Sequence, residues 1–208
     1  MKRIVIINCF LYCIASLSAQ DFYSNTDTLK TANNTYWVNH LGQNCLVVTN
    51  TANNLLGQPQ INLDTGNPMF GEDVESFNTS LHLNSECVRS IKQEVFSNSE
   101  ISTYSKINED FGYLSLGLAI NPTTGNVLEV SFTFLFQSFN SVLLQIPVEK
   151  LEALEMEIKD NISFYIPERA KSVSYLYYAA MIFNKDISSG REDRIFTWDD
   201  KTNEIVWN

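Results

Sequence analysis

The chain has 208 residues, with 24 acidic against 14 basic residues and a formal net charge of −10. A body this negative repels phosphate backbones and anionic headgroups, which argues against nucleic acid and polybasic membrane docking as partners. Its length suits one domain, or one domain with an appendage, and is enough for a hydrophobic core.

Met1, Lys2 and Arg3 form a short basic head, followed by an apolar run from Ile4 to Leu17 and by the small residues Ser16, Ser18 and Ala19. This is the order of a secretory signal peptide. The run is shorter than the roughly 20 apolar residues a transmembrane helix needs, so no membrane span is expected in the mature form. Cleavage is expected after Ala19, with Ser18 as the alternative site, which leaves Gln20 first and the protein periplasmic or extracellular. Removal of Lys2 and Arg3 leaves twelve basic residues against 24 acidic ones, and the net charge moves from −10 to −12. Cys9 and Cys13 lie inside the signal, preceded by Asn8 and Tyr12 rather than by the small residue of a lipid-attachment motif, and read as apolar filler.

The remainder divides into a leader, hairpin and loop segment over 20–84, an α+β core over 85–187, and a hairpin or tail over 188–208. Residues 20–35 are polar and read as a loose leader, with ordered structure expected from Tyr36. Tyr36–Val38 and Cys45–Val48 flank the turn-like His40–Gln43 and predict an N-terminal β-hairpin. Gly57, Pro59, Gly66, Pro68 and Gly71 punctuate a loop, with a short strand at Ile61–Leu63. Asn84 or Ser85 is placed to cap a helix in which Val88, Ile91 and Val95 recur at helical spacing. Asn98 or Ser99 is placed to cap a second helix, unless the two form one bent helix.

Leu114, Leu116, Leu118 and Ile120 alternate with small residues. After the turn Asn121–Asn126, Leu128, Val130, Phe132, Phe134 and Phe136 alternate again. Such period-two patterns on both sides of a Pro/Gly turn predict a hairpin with one apolar face. Pro147 suits the first turn of a helix in which Val148, Leu151, Leu154, Ile158 and Ile162 share one side. That helix supplies the lid. Val173–Phe183 is apolar on both faces, as a strand in the middle of a sheet would be. Ile195–Trp198 and Glu204–Trp207 form a last hairpin. The fold class is therefore α+β: an antiparallel sheet covered on one face by an amphipathic helix in ββαβ order, with preceding short helices and the N-terminal hairpin. On the opposite face the small residues Gly117, Ala119, Ser131 and Thr133 leave room for a ligand or another element.

From Phe111 to Lys185 the alternating strand, the Thr-Thr-Gly-Asn turn, the Val-Leu-Glu-Val-Ser-Phe strand and the Ile-Pro-Val-Glu-Lys-Leu-Glu-Ala-Leu-Glu helix resemble small secreted proteins of unknown function from Bacteroidetes. The resemblance implies export and no assigned chemistry. The strand order is also similar to the carboxyl-terminal domain of TonB energy-transducing proteins, which bind partner strands at a sheet edge. The transmembrane anchor and Pro-rich spacer of that family have no counterpart here. Asp27, Thr28 and Leu29 resemble a short O-glycosylation site, with Thr28 as the acceptor.

No residue pattern calls for a metal or cofactor. His40 and His82 are solitary, without metal-ligand spacing. A nucleophile elbow and a phosphate loop are both missing. Asp64–Asn67 lacks the second oxygen series of a calcium loop and reads as a turn. Glu149, Glu152, Glu155 and Glu157 are expected on the wet face of their helix. Cys45 and Cys87 either pair, closing a long loop worth roughly 4 kcal/mol, or remain buried thiols. The function expected is a noncatalytic envelope module that binds a protein or glycan ligand. The alternative is a secreted hydrolase using carboxylates or a serine in a cleft.

Overall fold

The computed structural model describes residue 23 and residues 26–69, 85–105, 113–136, 141–183, 196–199 and 204–207. The expected signal segment with Cys9 and Cys13, His82 and the candidate cap Asn84 lie outside them. Among the described residues, one antiparallel sheet contains β1 (Thr28–Lys30), β2 (Thr35–His40), β3 (Cys45–Asn50), β4 (Tyr113–Ile120), β5 (Val127–Leu135) and β6 (Leu176–Phe183). Their spatial order is β1-β2-β3-β5-β4-β6, and β7 (Phe196–Asp199) and β8 (Glu204–Trp207) form a separate ribbon. Three α-helices among the described residues, α1 (Ser85–Val95), α2 (Asn98–Ser105) and α3 (Val148–Asn161), complete an α+β architecture.

The register explains which residues become core. Val48 stands opposite Phe132, Phe132 opposite Leu116, and Leu116 opposite Ala180. Side chains alternate across a strand, so this row and the neighbouring row of Leu46, Phe134 and Leu114 share one face. Helices α1 and α3 cover that face, leaving a small apolar gap lined by Val88, Ile91, Leu116, Leu154, Ile158, Ile162 and Ile182. Phe132 and Leu154 are both buried, and each such side chain contributes about 1.5–3 kcal/mol by leaving water.

Three expectations are corrected by pairing. Within the expected loose leader, Thr28–Lys30 is a strand that pairs with Thr35–Trp37. Tyr23 is also fully buried, its hydroxyl donating to the Ile146 carbonyl at 2.5 Å and its ring 5.2 Å from that of Phe134. Tyr23 belongs to the core and Leu29 packs against it. Strands β2 and β3 do not stand apart from the 85–187 core, because β3 pairs with β5 and the sheet is continuous. Finally, β6 is not central. It pairs with β4 alone and occupies a sheet edge, with Tyr177 and Met181 exposed. The expected strand at Ile61–Leu63 reduces to single bridges, Ile61 with Pro68 and Asn62 with Val173.

Helices α1 and α2 are separate, divided at Phe96 and Ser97, and the cap of α2 is Ser97 rather than Asn98 or Ser99. The Glu100 amide donates to Ser97 Oγ at 3.3 Å while the Ser97 amide donates to Glu100 Oε2 at 2.8 Å, a reciprocal capping box. Lys150 of α3 reaches the same corner, donating to the terminal carbonyl of α1 at Val95 (2.5 Å) and lying 3.5 Å from Glu100. The Ser97 backbone and side-chain bonds, with a smaller contribution from the Lys150 charge, hold the Glu100 carboxyl below its usual range. A depressed carboxylate adds stability above its unfolded value near 4.3, and that stability is lost as pH falls through the lower folded value. Ser97→Ala is expected to cost about 1 kcal/mol, lowering Tm by roughly 2–4 °C in a scanning calorimeter. Glu100→Gln should flatten the acid limb of the stability profile. An unchanged acid limb in that variant would refute the role given to the box.

Pro147 stands at the N-cap of α3, one residue before the first helical turn, where its missing amide hydrogen costs nothing.

Candidate functional site

Glu152 and Glu155 are buried rather than wet, which the helical pattern alone did not show. They point toward the N-terminal strands. Glu155 Oε2 accepts from the Tyr36 hydroxyl at 2.8 Å, the Asn50 amide lies 3.3–3.4 Å from both carboxylate oxygens, and Lys159 donates to Oε1 at 2.6 Å. Glu152 Oε1 accepts from Thr31 Oγ1 at 2.8 Å and Asn34 Nδ2 at 2.6 Å. Burial, then the Glu155 charge and its hydrogen bond, push the Tyr36 hydroxyl far above the ordinary phenol range. These bonds tie α3 to β2, to β3 and to the turn between β1 and β2.

The other face of the sheet looks away from the helices. Its rows follow from the register: Thr28, Trp37, Thr49, Ser131, Gly117 and Ala179 stand abreast, and beside them Asn39, Val47, Thr133, Ser115 and Met181. At a strand spacing of about 4.8 Å the six strands span roughly 24 Å. One end of this face is closed. Glu129, itself buried, accepts from the backbone amides of Asn54, Leu55 and Leu56 at 2.7–3.0 Å, and Asn53 Nδ2 donates to the Val130 carbonyl at 2.8 Å. Successive amides converging on a carboxylate form a nest, and here it ties the loop to β5 at Glu129, the residue opposite Ala119. Farther along the same loop, the Tyr175 hydroxyl donates to the Gln58 carbonyl at 2.6 Å.

The four small residues are therefore not one open surface. Ala119 is fully buried, and Gly117 is buried beneath Tyr177, whose ring would stand 3.2–3.3 Å from any Cβ added there. Ser131 and Thr133 remain half-buried. The exposed part of the face lies around them: Trp37 is 50% exposed, Met181 42% and Tyr177 39%, with Val47 and Leu135 half-buried. Burial raises the Tyr177 hydroxyl above its ordinary value, in keeping with a ring laid against the sheet. The sequence held a signal for this surface in the two-sided apolarity of Val173–Phe183.

Cys45 and Cys87 are free thiols, each half-buried. Cys45 shares the open face with Val47 and Thr49, whereas Cys87 lies in the helical layer on the other side of the sheet. Disulfide Cα atoms rarely stand more than about 7 Å apart, and two packed layers stand about 10 Å apart. Alkylation of the unfolded, unreduced protein is expected to label both thiols, with no mass species two hydrogens lighter. A non-alkylatable pair would contradict this arrangement.

His40 is exposed at the end of β2. Thr28 lies in β1 on the open face, half-buried. Asp64–Asn67 is a turn in which Asn62 Oδ1 accepts from the Asp64 and Thr65 amides, and Gly66 takes φ +71°. Among the described residues no group of three His, Cys, Asp or Glu is placed to hold a metal ion, and no helix is long and apolar enough to cross a membrane.

Comparison with known proteins places this geometry in a family. The model of a domain of unknown function, DUF5043, matches residues 20–180. The crystal structure of a DUF5043 family protein from Bacteroides uniformis ATCC 8492 is similar with a TM-score of 0.61 and 22% sequence identity, covering 76% of this chain and 85% of that one. No curated protein matches.

Proposed function

Because the chain belongs to the DUF5043 family, which is defined by its domain and not by an activity, its own surface has to carry the functional reading, and we propose that it is an exported, noncatalytic envelope module that binds a ligand across the open sheet face. One observation carries this. Trp37, Tyr177 and Met181 are exposed on a single sheet face that also bears the hydroxyls of Thr28, Thr49, Ser131 and Thr133. Flat aromatic rings beside hydroxyl donors and acceptors match the alternating apolar and polar faces of a sugar, which favours a glycan over a protein segment. The family match starting at residue 20, one residue beyond the expected cleavage site, accords with export. A sugar on Thr28 would sit at the rim of this face.

The buried carboxylates Glu129, Glu152 and Glu155 are each engaged by donors of the chain. That arrangement lends no support to a hydrolase using paired carboxylates.

The test is a titration of the isotope-labelled protein with envelope polysaccharide fragments, followed by NMR. Shifts confined to Trp37, Thr49, Thr133 and Tyr177 are expected, and Trp37→Ala should weaken binding at least tenfold, as loss of a central aromatic contact does. Affinity unaffected by Trp37→Ala and by Tyr177→Ala together would end the proposal.

A further inference from the structure

A glycine brings the two exposed rings of the open face into line. Tyr177 belongs to β6 and stands opposite Ala119, one row away from Trp37. Its ring nonetheless lies over Gly117 of β4, where an added Cβ would meet Tyr177 Oη at 3.2 Å and Cε2 at 3.3 Å. Glycine inside a strand costs stability and marks a place where another group comes close to the backbone. Here that group is the Tyr177 ring, which the missing side chain allows to lie down along the sheet. Gly117 of β4 shares its row with Ser131 of β5, Thr49 of β3 and Trp37 of β2. The row therefore runs from a ring through two hydroxyls to a second ring. Strand order places β2 and β4 three spacings apart, roughly 14 Å.

Charge and twist limit what can lie along this row. Among the residues of the six strands, the charged ones on the open face are Lys30, at the β1 edge, and Glu129, whose carboxylate accepts the loop amides. The row itself is uncharged, in a chain of formal net charge −10. An anionic ligand would meet no cation between the rings and an acidic body behind them. Neighbouring strands are also rotated by roughly 20–25°, so the face turns by about 60–75° between β2 and β4. A flat crystalline surface cannot touch both ends of such a row, whereas a single chain can turn at each linkage. We infer that the ligand of this face is a neutral, single-chain oligosaccharide longer than a disaccharide, lying across the strands from Trp37 to Tyr177, with Gly117 as the positioning residue that holds the second ring in line. This rests on the glycan reading proposed above, to which it adds the length, charge and direction of the ligand.

The experiment is a calorimetric titration of the unaltered full chain with neutral gluco- and manno-oligosaccharides of graded length, beside oligogalacturonates of the same lengths. Affinity is expected to rise at least tenfold from disaccharide to tetrasaccharide, where the second ring is reached, and to level off beyond it. The oligogalacturonates are expected to bind at least tenfold more weakly than their neutral counterparts. Gly117→Ala should abolish the length dependence and keep the affinity for the disaccharide, because the added methyl displaces only the side-chain ends of Tyr177 and Ser131 and leaves Trp37 untouched. Tyr177→Ala should do the same. A disaccharide that binds the unaltered chain as tightly as the tetrasaccharide overturns the inference and leaves a glycan at one ring. An oligogalacturonate as tight as the neutral chain, or preferential retention on an insoluble crystalline glucan, also overturns it and leaves the glycan reading standing. Length dependence that survives both Gly117→Ala and Tyr177→Ala overturns the placement across the row. Absence of binding to every oligosaccharide, neutral and acidic alike, removes the glycan reading itself and this inference with it.

Discussion

Replacing Glu155 with alanine is expected to lower the stability of the protein by about 2–4 kcal/mol, a loss of the size usually reserved for core aliphatic residues. A glutamate on a solvated helix face would cost no more than about 0.5 kcal/mol. The difference comes from what the carboxylate serves. Its removal strands the Tyr36 hydroxyl and the Asn50 amide in the interior and leaves Lys159 without its 2.6 Å partner. Chemical denaturation reads the loss as a lower midpoint at constant m-value. A double-mutant cycle with Tyr36→Phe should return a coupling of about 1 kcal/mol, because the two side chains share a bond. A loss within 0.5 kcal/mol for Glu155→Ala would show that the node is dispensable. The alkaline limb offers a second reading. The folded Tyr36 hydroxyl is raised above its ordinary value near 10, so its contribution is complete below that pH and is lost as pH rises beyond it. Tyr36→Phe should remove part of that alkaline loss.

Gly125→Ala should be the most damaging exchange of a single hydrogen for a methyl, costing about 3 kcal/mol or more. Gly125 has φ +78°, and a Cβ there would collide with the Phe164 carbonyl, a backbone atom that cannot turn aside. The approach is close because the Phe164 amide donates to the Gly125 carbonyl at 2.9 Å, tying the β4–β5 turn to the segment after α3. Relief of the clash would displace Phe164, which is buried against Tyr178 with ring centroids 5.2 Å apart. Gly57→Ala serves as the control, since it also has positive φ (+89°) but open space around its Cβ position. It should cost only the local strain, about 1–2 kcal/mol. Equal thermal shifts for the two variants would remove the steric argument.

The candidate surface was partly legible in advance. Gly117, Ala119, Ser131 and Thr133 were correctly assigned to one sheet face by alternation, but alternation does not tell what comes to rest on that face. Opposite Ala119, Glu129 captures three amides of a loop more than seventy residues earlier in the chain, and Tyr177 leans over Gly117 from β6. From the sequence Trp37 reads either as part of a carbohydrate or peptide surface or, like most aromatics in a β-run, as core, and the fold leaves it 50% exposed. Glu152 and Glu155 were misplaced for the complementary reason. Their spacing set them away from the Leu151, Leu154 and Ile158 stripe, and only the arrival of Tyr36, Asn50, Thr31 and Asn34 closed that side of the helix.

What the sequence determined by itself was local: the strands on either side of Asn121–Asn126, the helix after Pro147 and the apolar faces they share. These follow from periodicity and turn chemistry, which act over a few residues. The tertiary structure alone decided that β3 joins β5, that β6 lies at an edge, that Thr28–Lys30 becomes a strand, and that two glutamates are interior. Each of those outcomes depends on which distant strand or loop removes a given side from water, a free energy that no short stretch of chain contains.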